Sequence, residues 1–340
     1  HAHSRYRRGR PRIGFVTQLS RQIVKITSKV RDFEMRIYLP PLRLTGARTL
    51  RQNALRERTV AIENGRIGGG PFPTVNLDGY LILPGIIDLH GTALDRVATR
   101  PVVSTALLGR ADRMAATFGV TTAWVSQGWD DPANDAAALQ MVERWARFRG
   151  AALTDLRMKV RYEAHSGAAA ATLCRAVRIH GIDQVTLGDR VARSIQPNGK
   201  LPLALAELAE TLDALGVPYS SLGESDGGVR ETLSRIGAQI CEFPESEEPA
   251  LIARSTGHAV VRRASDVLDT LPAKTHGFPC DALASGGDHS ALACAAFTLA
   301  DRDILPLDAA WALISQRPAE IMALPDRGLI EQRKRADLAI

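Results

Sequence analysis

LILPGIIDLHG, residues 81–91, carries six aliphatic side chains, breaks at Pro84-Gly85, and then delivers an acid and a histidine. At the two-residue period of a strand, Asp88 and His90 share one face and Leu89 points to the other. The expectation is one buried strand over 81–88 that ends in side chains able to do chemistry. Taken alone, the stretch also fits a core strand with one satisfied histidine. The rest of the chain decides between the two.

Before this stretch the pattern is strand-like without helices. RIYLPPLRLTG and RTVAIENGRIGG are followed by TVNLDGYLILPG, and Asn64-Gly65 marks a tight hairpin turn. After Pro84 short apolar runs alternate with Ala/Leu/Arg-rich helical stretches. Strands are expected at 81–88, 121–126, 157–163, 184–188, 217–222, 238–242, 258–262 and 280–285. Helices are expected at 104–118, 132–149, 167–180, 201–215, 226–236, 246–256 and 289–300, with 263–279 the least regular gap. Eight strands with helical crossovers over roughly 230 residues match a (β/α)8 barrel. A doubly wound sheet would carry a GxGxxG turn after its first strand, and none occurs there. The fold class expected is therefore α/β, a (β/α)8 TIM-type barrel over 83–325. A small β-sandwich module is expected beside it, built from 35–82 and the strand-like tail 326–340.

Composition limits the partners. Hydrophobic residues are 45% and charged residues 24% of 340, ordinary usage for a globular chain. The net charge of +6 is uneven, because residues 1–34 hold nine Lys/Arg against two Asp/Glu. The body is thus close to neutral, which argues against nucleic-acid binding. That basic, acid-poor extension fits a transit peptide, a membrane-surface helix or a disordered or artefactual tail, and the last is expected first, since Met35 is a plausible start. No apolar run approaches the roughly 18–20 residues of a membrane span. Cys174, Cys241, Cys280 and Cys294 are scattered and form no CxxC pair, so a reducing cytoplasmic setting is expected. A homo-oligomer is compatible with the sequence.

Barrel enzymes carry their working residues at the C-terminal ends of the strands. Those ends supply His90, Glu163 and His165, Asp189-Arg190, Glu224, Glu242, Arg262-Arg263 and Asp288-His289. Imidazoles and carboxylates gathered at one rim are what a hydrolytic metal site requires. Lys159, Arg161 and Glu163 share a strand face. With Arg190, Arg262 and Arg263, the cations would line the barrel mouth as an anion pocket; the competing reading pairs them with Glu224 and Glu242. Asp88 is expected to orient the first loop rather than to catalyse, and His180 and His258 to be structural.

The opening LILPGIIDLHG and the closing RPAEIMALPDRGLIEQRKRADLAI together resemble the amidohydrolase superfamily. Within it, LPGIIDLHGTALDR, GVTT, VRYE, IGAQICEFPESEEPALIARSTG and LACAAFTLA follow the order seen in the PhnM family. Those proteins are ribose-1-methylphosphonate triphosphate diphosphatases of phosphonate metabolism. The resemblance implies a metal-dependent hydrolase acting on a carbon–nitrogen bond or on a small phosphorylated substrate. The implied ion is divalent, zinc by preference. Carried over position by position, His90 is the first ligand and Glu163 the strand-3 glutamate. Shifted groups such as His165, Asp288 or His289 would complete a mononuclear site, and Asp288 or Glu163 acts as general base. Other positions depart from the pattern. Lys159 stands where a histidine is expected, Arg190 and Leu222 replace histidines, Thr92 replaces a carboxylate, and Gly286 replaces the strand-8 aspartate. These losses imply at most one ion, and they favour as alternative a non-catalytic barrel that binds an anionic metabolite or a partner protein.

Overall fold

A computed structural model describes residues 39–51, 54–94, 105–130, 132–163, 167–195, 201–269 and 279–340. The basic extension and His165 lie outside the described residues. The chain begins with short strands: β1 (Leu42–Thr45), β2 (Arg48–Arg51), β3 (Ala54–Glu57), β4 (Val60–Glu63), β5 (Arg66–Gly68), β6 (Thr74–Asn76) and β7 (Leu81–Pro84). They form two sheets, β5-β4-β1-β6 and, with β16 (Leu338–Ala339) from the C-terminus, β16-β7-β2-β3. Leu44, Val60, Ile62 and Ile67 of the first sheet share a buried cluster with Ile82 of the second and Ile330 of the tail. Asn64 and Gly65 both take positive φ (51° and 70°) and join β4 to β5, as an Asn-Gly hairpin requires.

The barrel follows as eight parallel strands in sequence order: β8 (Ile86–Asp88), β9 (Val120–Trp129), β10 (Asp155–Tyr162), β11 (Gln184–Leu187), β12 (Tyr219–Leu222), β13 (Ile240–Glu242), β14 (Ala259–Arg263) and β15 (Ala282–Ala284). Helices connect them on the outside. The gap between β14 and β15, the least regular in the sequence, contains a helix at Ala264–Asp269.

One expectation needs correcting. Residues 81–88 are two strands, not one: β7 belongs to the small module and β8 to the barrel. Gly85 is the joint. Its amide donates to the Asp337 carbonyl (2.8 Å), and a Cβ there would lie 2.3 Å from Thr121 Oγ1 and 3.0 Å from the Asp337 carbonyl carbon. Gly85→Ala is therefore expected to cost about 1–3 kcal/mol, as overpacked sites do. A shift in the urea midpoint reads this, and an unchanged midpoint would show that the joint relaxes freely.

β10 shows how the barrel reads its sequence. In LRMKVRY, Leu156, Met158, Val160 and Tyr162 join the core under the outer helices, and Trp145 reaches in from helix Pro132–Phe148 to donate to the Leu156 carbonyl (2.9 Å). The alternate residues Lys159 and Arg161 are buried too. Lys159 touches Glu242 of β13, three strands away, which only a side chain crossing the barrel interior can do. The apolar face thus points outward and the polar face inward, the inverse of a half-exposed strand.

No ladder is formed between β8 and β15. The Ile87 and Leu283 amides instead donate to the Ile314 and Leu313 carbonyls (2.8 and 2.9 Å), and the Gly286 amide donates to the His90 carbonyl (2.9 Å). A later segment therefore fills the lower seam, and a loop-to-loop bond closes the upper one. At the opposite face from the rim, buried Arg327 of the tail pairs with Asp155 at the start of β10 and with Asp326. The closing motif is thus a clamp between the barrel floor and the module.

Candidate functional site

Two carboxylate–imidazole pairs stand at the C-terminal rim. The first is built around Glu242, the last residue of β13 and 1% exposed. Lys159 Nζ donates to both of its oxygens at 2.7 Å. His90 Nδ1 lies 2.7 Å from Oε2, and Gln184 Nε2 donates to Oε1 at 3.0 Å. Burial would raise the Glu242 pKa, but the Lys159 ammonium and His90 outweigh it and bring it down to about 2. Glu242 is ionised, so His90 Nδ1 carries the proton and donates. Burial first, and Lys159 second, hold His90 below its ordinary value, which keeps the ring neutral.

Lys159 lies in register with Ser126 on β9 and Gln184 on β11, and these neighbours face the same interior. Gln184 Nε2 and Thr186 Oγ1 both bond Ser220 Oγ (3.2 and 2.9 Å). Ser126 Oγ and Gln184 Oε1 remain without a partner in this buried layer.

The second pair bridges the barrel seam. Asp88, fully buried, accepts the His90 and Ser285 amides on Oδ1 (3.1 and 3.0 Å) and holds His289 Nδ1 on Oδ2 at 2.7 Å. Burial would raise the Asp88 pKa, but the bond to His289 and the Ser285 donors lower it instead. Burial would depress His289, but the Asp88 carboxylate raises it above 6.5. Gly91 lets the loop lie against this pair, because a Cβ there would be 3.1 Å from His289 Cε1 and 2.9 Å from the Trp124 carbonyl. The strand ends at Asp88, so Asp88 and His90 do not share a strand face as their spacing suggests; one turns into the seam and the other into the interior.

The remaining candidates fall in separate places. Glu163 accepts the Arg190 amide (3.0 Å) and faces Arg161 Nε at 3.5 Å; burial raises its pKa. Arg262 pairs with Glu247 (2.6 Å). Arg263 lies over the Phe243 ring (4.3 Å) and near Asp266 (3.8 Å). Asp288 is exposed and accepts the Ser290 amide (3.0 Å) just ahead of helix Ser290–Asp301. Glu224 sits away from the interior network against buried Arg230 and Cys241. The pairing of Asp88 with His289, 201 residues apart, carries no local signal in the sequence.

A divalent ion does not fit the donors described. A carboxylate offers about four lone-pair positions, and on Glu242 they are met by two contacts from Lys159 and one each from His90 and Gln184. Asp88 is committed to two amides and His289. The unpartnered atoms nearby are a hydroxyl and an amide oxygen, both neutral. A dication about 4 Å from the Lys159 ammonium would be repelled by roughly 8 kcal/mol at an effective dielectric near 20. Among the described residues, no three His, Cys, Asp or Glu side chains converge as a cation site.

No protein-family model matches the chain, and no curated protein matches it. Solved structures do. N-acetylglucosamine-6-phosphate deacetylase from Pasteurella multocida aligns with a TM-score of 0.64 at 14% identity, over 88% of this chain and 94% of that one. Dihydropyrimidinase from Brevibacillus agri gives 0.65 at 12%, over 88% and 85%. An uncharacterized metal-dependent hydrolase from Pyrococcus furiosus gives 0.61 at 9%, over 88% and 98%. At such identities the likeness establishes the fold: a barrel with a flanking β-module, shared along almost the whole of these hydrolase chains.

Proposed function

We propose that this barrel is a hydrolase for a small anionic substrate, with His289 as the base that takes a proton from water. The observation that carries the reading is the 2.7 Å contact of His289 Nδ1 with Asp88, itself held by two amides. A carboxylate on Nδ1 fixes the tautomer, leaves Nε2 as the proton acceptor, and stabilises the imidazolium that forms. The bond cleaved is carbon–nitrogen or a phosphoanhydride, following the amidohydrolase and PhnM resemblance. Arg161 and Arg190, beside Glu163, supply positive charge at the same rim. The donors among the described residues do not fit a metal, so the proton transfer rests on His289 and Asp88.

A second reading has its own support. Glu242 is saturated by four contacts from three donor groups, which suits a barrel that binds an anion without turning it over. The two readings separate in one assay. Cyclic amides, N-acyl sugar phosphates and phosphoanhydrides are offered to the protein in the presence of chelator, alongside His289→Asn. Turnover that the variant loses supports the hydrolase; saturable binding with no turnover of any compound supports the binder.

A further inference from the structure

We propose that Lys159 is a built-in cation of this barrel, seated against Glu242 and His90 where a divalent ion would otherwise have to neutralise and organise those donors. It goes beyond the hydrolase reading and does not rest on it. Lys159 is 0% exposed, yet its ammonium is not stranded, because both oxygens of Glu242 lie at 2.7 Å. The side chain starts on β10 and its partner on β13, so the charge sits across the barrel axis rather than on its wall.

The same carboxylate then orients an imidazole, as an outer carboxylate does for a metal-bound histidine. His90 Nδ1 donates to Oε2, and Gln184 Nε2 fixes Oε1 from β11. One ammonium therefore ties together β8's loop, β10, β11 and β13. Ser126 and Gln184, in register on either side of Lys159, contribute neutral atoms only. The Lys159–Glu242 pair is neutral as it stands, so a dication beside it would put two positive charges in excess on that pair. Lysine suits the role because its three donors rotate on a flexible stem and can meet both oxygens.

The test uses the full chain grown in zinc- and manganese-supplemented medium. Metal content is measured by plasma mass spectrometry, and the melting temperature in chelator and in added zinc. The expected result is far less than one ion per chain and the same melting temperature in both. A stoichiometric ion, with a melting temperature that falls in chelator, would overturn the proposal whatever the enzyme's activity. Lys159→His gives a second arm. Removing the fixed charge and adding an imidazole beside His90 and Glu242 is expected to create a zinc site, so that zinc raises the variant's melting temperature by several degrees while leaving the parent unchanged. A variant that folds by circular dichroism and ignores zinc would show that Lys159 does not occupy a cation position. If it does not fold, the parent's metal content still decides. Hydrolysis of the substrate panel is read separately, so loss of the activity reading leaves this one standing.

Discussion

Replacing Glu242 by glutamine is expected to cost about 3–5 kcal/mol of folding stability, because it leaves the Lys159 ammonium buried with no counter-charge. The neutral side chain keeps the volume and one acceptor, so the loss reports charge and not a cavity. His90 would also lose the carboxylate that orients its ring, at 2.7 Å in the native protein. Urea titration measures the effect, and a change within about 0.5 kcal/mol, the range of surface substitutions, would show that the interior is hydrated and the pair screened. Changing both partners, Lys159→Met with Glu242→Leu, is expected to recover much of the loss, since apolar replacements of buried ion pairs are often neutral.

The same pair has a defined acid limit. Glu242 falls from an ordinary 4.5 to about 2 in the folded protein. A depressed carboxylate stabilises the fold above its unfolded pKa and loses that contribution as pH falls toward the folded one. The Glu242 share of stability should therefore be constant from neutral pH to about 4.5 and disappear between there and about 2. In Glu242→Gln that part of the acid dependence should be missing, and its survival in the variant would assign it to other carboxylates.

For whichever compound of the panel the protein turns over, His289→Asn is expected to lower kcat by about 10²–10⁴-fold, the usual range for a positioned proton acceptor. Asp88→Asn should act in the same direction, because its amide group cannot replace the second carboxylate oxygen on His289 Nδ1. Melting curves separate this from loss of fold, since Asp88 also holds the Ser285 and His90 amides. The pH profile carries a sign. Asp88 raises His289 above 6.5, and a base works unprotonated, so kcat/KM should fall on the acid side with a midpoint above 6.5. A profile flat through that region, or full activity in His289→Asn, would remove the imidazole from the reaction.

Much of this architecture was legible in local pattern. Strand–helix alternation after Pro84 predicts the barrel, and β10 and helix Gly167–His180 lie within two residues of where the pattern puts them. Hydrophobic burial is the reason, because a strand covered on its outer face must present apolar side chains at every second position. The Asn64-Gly65 turn is legible for a similar reason, since few residue pairs adopt two positive φ values. Where a run is apolar throughout, the pattern is silent. LILPGII shows a break at Pro84-Gly85 and a change of pattern near it, but not that hydrogen bonding passes from one sheet to another at Gly85, where the Asp337 carbonyl and Thr121 side chain crowd the joint.

The sequence by itself determined the fold class, the rim on which His90, Glu163 and Asp288-His289 would fall, and the face that Lys159 and Arg161 share. Those follow from periodicities of two and 3.6 residues, which any chain segment obeys on its own. Tertiary structure alone decided the partners. Lys159 and Glu242 are 83 residues apart, and Asp88 and His289 are 201 apart. Barrel closure brings each pair to 2.7 Å. Carboxylates at strand ends read alike in a sequence, whether they await a ligand or are already filled. Only the count of donors around each oxygen separates the two, and that count is set by which strands meet across the interior.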